Sequence, residues 1–340
     1  MGDWATTVTS WIQTLVLTGS ALTVGLIGMI YVYQEKLLYF PSMPGVSKLT
    51  TENPEGYRVP SEYGIDYEDV FVTCSDGVKI HSWLMKQPSG QFLPTIVFFH
   101  GNAGNIGYRL PNAAKMFRHL DCNILLVDYR GFGLSDGVPT EEGLQRDADG
   151  VIDYLHTRSD IDPTKIVVFG RSLGGAVAIY LAESRPTKIA GLIVENTFLS
   201  ISSMVDQVMP WLTYIKPIVL AIDWNNERRI RGVTLPILFV AGERDELVPH
   251  SHMQKLHASA TKSSLRKWLP VPRGTHNDSW LRGGLDYFHT LRQFIATSTR
   301  DFTLGASETC DVDVDEKSAS AIPNMLNQPL FNHLPKDKDA

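Results

Sequence analysis

Clusters of Lys and Arg are missing from this 340-residue chain, whose formal net charge is −6. Gripping a phosphate backbone needs grouped basic side chains, so the charge pattern argues against a nucleic-acid partner. Cysteine is scarce as well. Cys74, Cys122 and Cys310 stand far apart, odd in number and without CxxC or Cys/His ligand spacing. That pattern gives neither a disulfide framework nor a zinc site. Cys74 and Cys122 fall in apolar, strand-like stretches and read as small buried hydrophobes.

The third absence is local. No charged residue occurs from Trp11 to Tyr33, and a helix of that length crosses a hydrocarbon core of ~30 Å. The run reads as a transmembrane anchor, with Trp4, Trp11, Tyr31 and Tyr33 near its ends as interfacial aromatics. A cleaved signal peptide is the rival. It fits less well, because no Lys or Arg precedes the run, which is also long for an h-region. Lys36, Lys48 and Arg58 follow the span, with Glu35 beside Lys36, a small bias that favours the cytoplasmic side for the remainder of a single-pass protein and leaves the membrane and its side open. Met1–Thr6 fits the loose myristoylation pattern, which matches by chance often. The sequon at Asn277 adjoins a candidate catalytic residue and says little about location.

Beyond the anchor, residues 35–64 read as a linker, punctuated by Pro and Gly over 41–64, a stretch that reads as a spacer between span and folded domain. A hairpin follows, Ile65–Thr73 and Val78–Lys86 around Ser75-Asp76-Gly77. Then come short apolar runs without alternation: Thr95–Phe99, Asn123–Val127, Lys165–Phe169, Ile189–Val194, Pro236–Ala241 and, last, Leu265–Val271. Helical segments separate them at Ile106–Leu120, Thr140–Arg158 and Ser172–Ser184, and Trp280–Ala296 closes the series. Buried parallel strands with helices on both faces are the expected result: an α/β fold with a mostly parallel sheet over 65–300. Residues 197–231 exceed a normal crossover and carry Met204, Met209, Trp211, Tyr214, Ile218 and Trp224. They are expected to form a helical cap over the carboxyl edge of the sheet, where such folds keep their sites. Residues 301–340 are acidic and aperiodic, the composition of a disordered tail.

The chemistry centres on Gly170-Arg171-Ser172-Leu173-Gly174, set between a strand and an apolar helix. In that context a G-x-S-x-G turn lifts the serine hydroxyl above the sheet edge, so Ser172 is the candidate nucleophile. A serine needs a base, oriented by a carboxylate, and chain order in such folds is Ser, acid, His. His276, in the loop before the last helix, is the candidate base; His250, His252, His257, His289 and His333 are worse placed. Asp245, in the acidic loop after Pro236–Ala241, is the candidate acid, with Glu246 and Glu195 as rivals. An oxyanion hole needs two backbone N–H donors. Leu173 supplies one. Asn102, in His100-Gly101-Asn102-Ala103-Gly104-Asn105, is the candidate for the other, with Ala103 as its alternate. Asp128–Gly133 is a further glycine-rich edge loop that shapes the site, and a G-x-G alone is no nucleotide signature. Neither a metal nor an organic cofactor is required.

Together, 100–105, 128–137, 170–175, 195–198, 242–249 and 274–280 resemble the α/β-hydrolase domain-containing protein 13 and bud-emergence-homologue family, over roughly residues 35–298. The resemblance implies the α/β-hydrolase fold, a membrane-anchored serine hydrolase, and a triad at Ser172, Asp245 and His276. The expected substrate is a carboxylic ester or thioester, of a lipid or an acylated protein. Two readings compete with it: a serine peptidase, and a membrane or polarity scaffold in which catalysis is dispensable.

Overall fold

Two physical signals, β-branched runs too short for helices and amphipathic segments between them, resolve into one eight-stranded sheet with helices on both faces. The structure is a computed structural model in which residues 3–299 are described. The acidic tail, His333, Cys310 and the start of the acylation-like pattern lie outside them. In chain order the elements are α1 (Asp3–Leu38), β1 (Tyr67–Thr73), β2 (Lys79–Met85), β3 (Thr95–Phe99), α2 (Leu110–Leu120), β4 (Asn123–Val127) and α3 (Glu141–Thr157). They continue with β5 (Ile166–Arg171), α4 (Leu173–Ser184), β6 (Gly191–Glu195), α5 (Ile201–Val208), α6 (Lys216–Val219) and α7 (Asn226–Ile230). The last are β7 (Ile237–Gly242), α8 (His250–Ser259), β8 (Arg266–Val271), α9 (Ser279–Arg282) and α10 (Gly284–Thr299).

The strand order is β1-β2-β4-β3-β5-β6-β7-β8. β1 and β2 form the antiparallel hairpin, β2 meets β4 antiparallel, and every later pairing is parallel. Both faces of the middle strands are covered, which is why they read as continuous apolar runs. Val97 and Phe99 of β3 join the cluster under α3 and α4, while Ile96 and Phe98 join the cluster under α2 and α10. Register aligns the carboxyl ends: Phe99 is opposite Gly170, Arg171 opposite Glu195, Glu195 opposite Val240, and Gly242 opposite Val271. The loops that leave these strands therefore share one edge of the sheet.

Several helix boundaries differ from the sequence reading. Ile106–Arg109 is a 3-10 turn ahead of α2, capped where the Asn105 side chain accepts the Gly107 N–H at 3.0 Å. Pro111, which has no N–H to donate, sits in the first turn of α2. The final helical run divides at Gly283–Gly284, where Gly284 has φ +54°. The helix expected from Ser172 starts at Leu173, because Ser172 is not helical.

α1 is long and apolar enough to cross a bilayer, and the stretch Thr6–Leu38 reaches a mean hydropathy of 2.0 in its most apolar window. Residues 41–64, read as a spacer, are packed on the domain: Val46, Thr50, Asn53 and Tyr57 are buried. Asn53 and Asn105 exchange side-chain hydrogen bonds at 2.8 and 3.2 Å, which fastens this stretch to the base of the 100–105 loop. Residues 197–231 carry α5, the turn Pro210–Leu212, α6 and α7. Leu212, Val219, Ile222 and Trp224 are turned inward, whereas Trp211, Tyr214 and Ile218 are 61%, 90% and 71% exposed.

The loop after β4 is fixed by one arginine. Arg130 donates to buried Asp147 of α3 from its backbone N–H (2.8 Å) and from Nε (2.9 Å), and its guanidinium also donates to Asp76 at 2.7 Å. The Arg130 hydrogen bond holds the Asp76 carboxyl at about 2, below its ordinary 3.8. A carboxyl lowered on folding adds stability that is present above its unfolded pKa and lost as pH falls through the folded one. Asp76→Asn is expected to lower Tm by about 2–4 °C at pH 6. That gap should close as pH falls from 3.8 towards about 2, followed by thermal melts across the acid range.

Candidate active site

The turn at Ser172 is built by what its neighbours lack. Ser172 has φ 56° and ψ −120°, a conformation that an L-residue adopts only when surrounding contacts impose it. The imposing contacts are backbone-to-backbone. A Cβ on Gly174 would lie 2.0 Å from the Phe99 carbonyl oxygen, and one on Gly170 would lie 2.1 Å from the Gly174 carbonyl oxygen. Only glycine lets β3, β5 and α4 approach this closely. The Ser172 N–H donates to the Glu195 carbonyl at 3.0 Å, and the Thr197 hydroxyl donates to the Ser172 carbonyl at 2.7 Å. Gly101 lies beside the serine, its position for a Cβ being 3.7 Å from the Ser172 Cβ. Leu173 opens α4, and first-turn N–H groups have no partner within their own helix.

Asp245 and His276, from separate loops, meet. The His276 Nδ1 is 2.8 Å from the Asp245 Oδ2, and the two side chains are only 6% and 2% exposed. With the proton on Nδ1 donated to the carboxylate, Nε2 keeps its lone pair. The other carboxylate oxygen accepts the N–H groups of Leu247 (2.9 Å) and Val248 (2.8 Å), so the carboxylate is itself held in place. Exposed Glu246 accepts the backbone N–H of His276 at 3.2 Å and does not meet its ring. Glu195 is committed elsewhere. One oxygen takes Arg171 Nε at 2.5 Å and the other takes the Tyr287 hydroxyl at 2.6 Å, all three residues being buried. His250 faces the Gly242 carbonyl at 3.4 Å, His252 accepts the Leu199 N–H at 3.4 Å, and His257 packs edge-on to Phe239 and Trp268. His289 lies on α10 beside Gln293.

The loop 100–105 is supported from below. Buried Asp128 accepts the Ile106 N–H at 3.0 Å and lies 3.5 Å from the His100 ring and 3.9 Å from that of His81. Burial alone would raise the Asp128 carboxyl; the nearby His100 and His81 rings outweigh it and hold the group below its usual range. The Tyr129 hydroxyl donates to the His100 carbonyl at 2.8 Å. Asn102 donates through its side chain to the Leu38 carbonyl at 2.8 Å, and its own carbonyl accepts the Phe40 N–H at the same distance.

One residue that the sequence reading did not single out joins the pieces. Asn196, just past β6, is buried at φ 48°. Asparagine tolerates that region better than most side chains. Its amide donates to the Thr275 and His276 carbonyls (3.0 Å each) and to the Ser279 hydroxyl (3.1 Å), and its oxygen accepts the Gly242 N–H at 2.7 Å. The loop carrying His276 is thus tied to the ends of β6 and β7. A polar residue directly after a buried strand was the available signal. Asn196→Ala removes these bonds and strands a buried N–H, a loss of about 3 kcal/mol. Denaturant titration should show that loss, with a weaker Asp245–His276 contact seen in the imidazole NMR signals.

Comparison with known proteins agrees with this architecture. The profile of a family described as serine aminopeptidase, S33 matches residues 91–222. The chain is 37% identical to the α/β hydrolase domain-containing protein WAV2 of Arabidopsis thaliana, covering 84% of this chain and 95% of the relative. It is 38% identical to protein bem46 of Schizosaccharomyces pombe, with 81% and 90% covered. A membrane protein of Saccharomyces cerevisiae, YNL320W, is 35% identical over 81% of this chain and 93% of its own length. Among solved structures, the esterase Pf2001 of Pyrococcus furiosus superposes with a TM-score of 0.59 at 18% identity, covering 71% of this chain and 96% of that one, a likeness of fold. The chain belongs to the α/β-hydrolase domain-containing protein 13 and bud-emergence-homologue family, and its fold is that of the α/β hydrolases.

Proposed function

We propose that the protein is a membrane-anchored serine hydrolase that cleaves a carboxylic ester or thioester through Ser172, His276 and Asp245. One observation carries the reading: a buried Asp245–His276 pair at the same sheet edge as a serine held in a strained strand-to-helix turn. In this mechanism His276 Nε2 takes the hydroxyl proton as Ser172 Oγ attacks the carbonyl carbon. Negative charge gathers on the carbonyl oxygen, facing the N–H groups of Leu173 and Asn102. The tetrahedral intermediate collapses and the C–O or C–S bond breaks. The leaving alcohol or thiol takes the proton from His276, and an acyl-serine remains. Water, deprotonated by His276, attacks that ester; the carboxylic acid departs and Ser172 regains its proton. Asp245 keeps its hydrogen bond to Nδ1 throughout and stabilises the imidazolium.

The substrate class rests on location. α1 serves as the anchor and residues 197–231 as a cap. Trp211, Tyr214 and Ile218, exposed on that cap, suit the lipid–water boundary, where aromatic rings settle. An acyl chain on a lipid or a lipidated protein reaches such a site from the bilayer. The aminopeptidase description of the matching profile favours a second reading, cleavage of an amide by the same acyl transfer.

Full-length protein in nanodiscs is expected to label with a fluorophosphonate probe and to lose labelling in Ser172→Ala; equal labelling of the variant would sink the mechanism. Asp245→Asn leaves the geometry but mis-sets the imidazole proton, a kcat loss of about 10³–10⁴-fold on a chromogenic ester. Across p-nitrophenyl esters and acyl thioesters of increasing chain length, kcat/KM should rise with the chain. Faster turnover of the acetyl ester than of every long-chain substrate argues against the acyl-chain assignment, and comparable cleavage of a matched amide supports the peptidase.

A further inference from the structure

The end of the apolar helix is wired into the site. Its last turns face the domain with one stripe: Ile30 and Leu38 pack against the main core, and Gln34 between them is 8% exposed, while Tyr33 and Leu37 point outward. Gln34 supplies hydrogen bonds that the irregular chain after α6 cannot make for itself. Its Oε1 accepts the N–H groups of Ala221 (2.7 Å) and Ile222 (3.0 Å), and its Nε2 donates to the Val219 carbonyl at 3.4 Å and to Tyr31 in its own helix at 2.7 Å.

Five residues on, the hydroxyl of buried Tyr39 accepts the Trp224 indole N–H at 2.9 Å. Trp224 is fully buried at φ 38°, a state that a tryptophan holds only under outside constraint. The constraint includes the Glu141 carboxylate, which accepts the N–H groups of Asp223 and Trp224 at 2.8 and 3.0 Å. Phe40 then pairs with the 100–105 loop like one rung of a sheet: its N–H donates to the Asn102 carbonyl at 2.8 Å, and its carbonyl accepts the Gly104 N–H at 3.0 Å. The Asn102 side chain closes the circuit by capping the Leu38 carbonyl, a terminal acceptor left open at the end of α1.

We propose that Gln34–Phe40 is a positioning element for the reaction: it sets at once the loop carrying the proposed Asn102 N–H donor and the insertion read above as the cap, so the seating of the anchor is transmitted to catalysis. The inference rests on the hydrolase reading above. Gln34, Tyr39 and the Asn102 side chain touch no reacting atom; they act through the placement of backbone. An oxyanion donor is effective only at its working distance, and displacement by about 1 Å costs on the order of 10²-fold. Uniform stabilisation of the fold predicts no such loss in folded protein.

The test uses full-length protein in nanodiscs with p-nitrophenyl acetate, a soluble ester that does not need delivery from the bilayer. Asn102→Ala, Gln34→Met and Tyr39→Phe are compared with wild type and Ser172→Ala for kcat, KM, fluorophosphonate labelling rate and Tm. Asn102→Ala is expected to lower kcat by about 10- to 100-fold, with KM changed less than about twofold. Gln34→Met and Tyr39→Phe, which loosen the same circuit further from the donor, should show smaller kcat losses of about 3- to 10-fold. Labelling should slow in step, at temperatures where each variant is folded. Unchanged kcat in all three beside an active wild type overturns the positioning role and leaves the hydrolase reading standing, as does a loss that merely tracks the unfolded fraction. A wild type that neither labels nor turns over any ester fails the hydrolase reading itself, and the positioning role with it.

Discussion

A serine at φ 56° is an expensive local state, and the rest of the molecule is arranged around holding it there. The sheet delivers three carboxyl ends in register, glycines at 170 and 174 let their backbones close to contact distance, and α4 begins one residue later. Strain of this kind persists only when its surroundings over-determine it. Here they do so with the Glu195 carbonyl on one side, the Thr197 hydroxyl on the other and the β3 backbone beneath. The same closeness brings Gly101 of the 100–105 loop alongside the Ser172 side chain at its Cβ.

Rigidity continues outward through side chains that bond to the backbone of neighbouring loops. Asn196 grips the loop of His276, Asp245 takes two N–H groups of its own loop, and Asp128 holds the first turn after the 100–105 loop. Such bonds fix where a loop sits without spending a charged pair. Glu195 shows the contrast: buried, it is matched by an arginine and a tyrosine, and it serves the packing between β5, β6 and α10.

The parts legible in the sequence were those with local periodicity or a local motif. The middle strands announced themselves as β-branched runs, and the Ser172 turn by small residues on both sides of a serine. Asp245 and His276, read from chain order, do come together, and their distance is information that no spacing contains. Boundaries shifted where one residue altered the backbone: Pro111 and the Asn105 cap delayed α2, and Gly284 split the final helix. Asn196, Gln34 and Tyr39 were silent because their partners lie as far off as Thr275, Ala221 and Trp224; a side chain whose purpose is a long-range bond carries no local mark. The proline- and glycine-rich stretch 41–64 looked like a spacer for a related reason, its burial depending on a surface made elsewhere in the chain.

The docking of the last turns of α1 has a kinetic side. A catalytic unit hung on a loose tether explores a hemisphere of solution and meets substrate according to its bulk concentration. Because Gln34, Leu38 and Tyr39 are seated in the domain, a bilayer around α1 would fix the height and tilt of the sheet edge. On the proposed reading of an acyl substrate in that bilayer, encounter would become two-dimensional, set by surface density and lateral diffusion, and diluting the membrane with inert lipid would slow turnover where diluting the suspension would not.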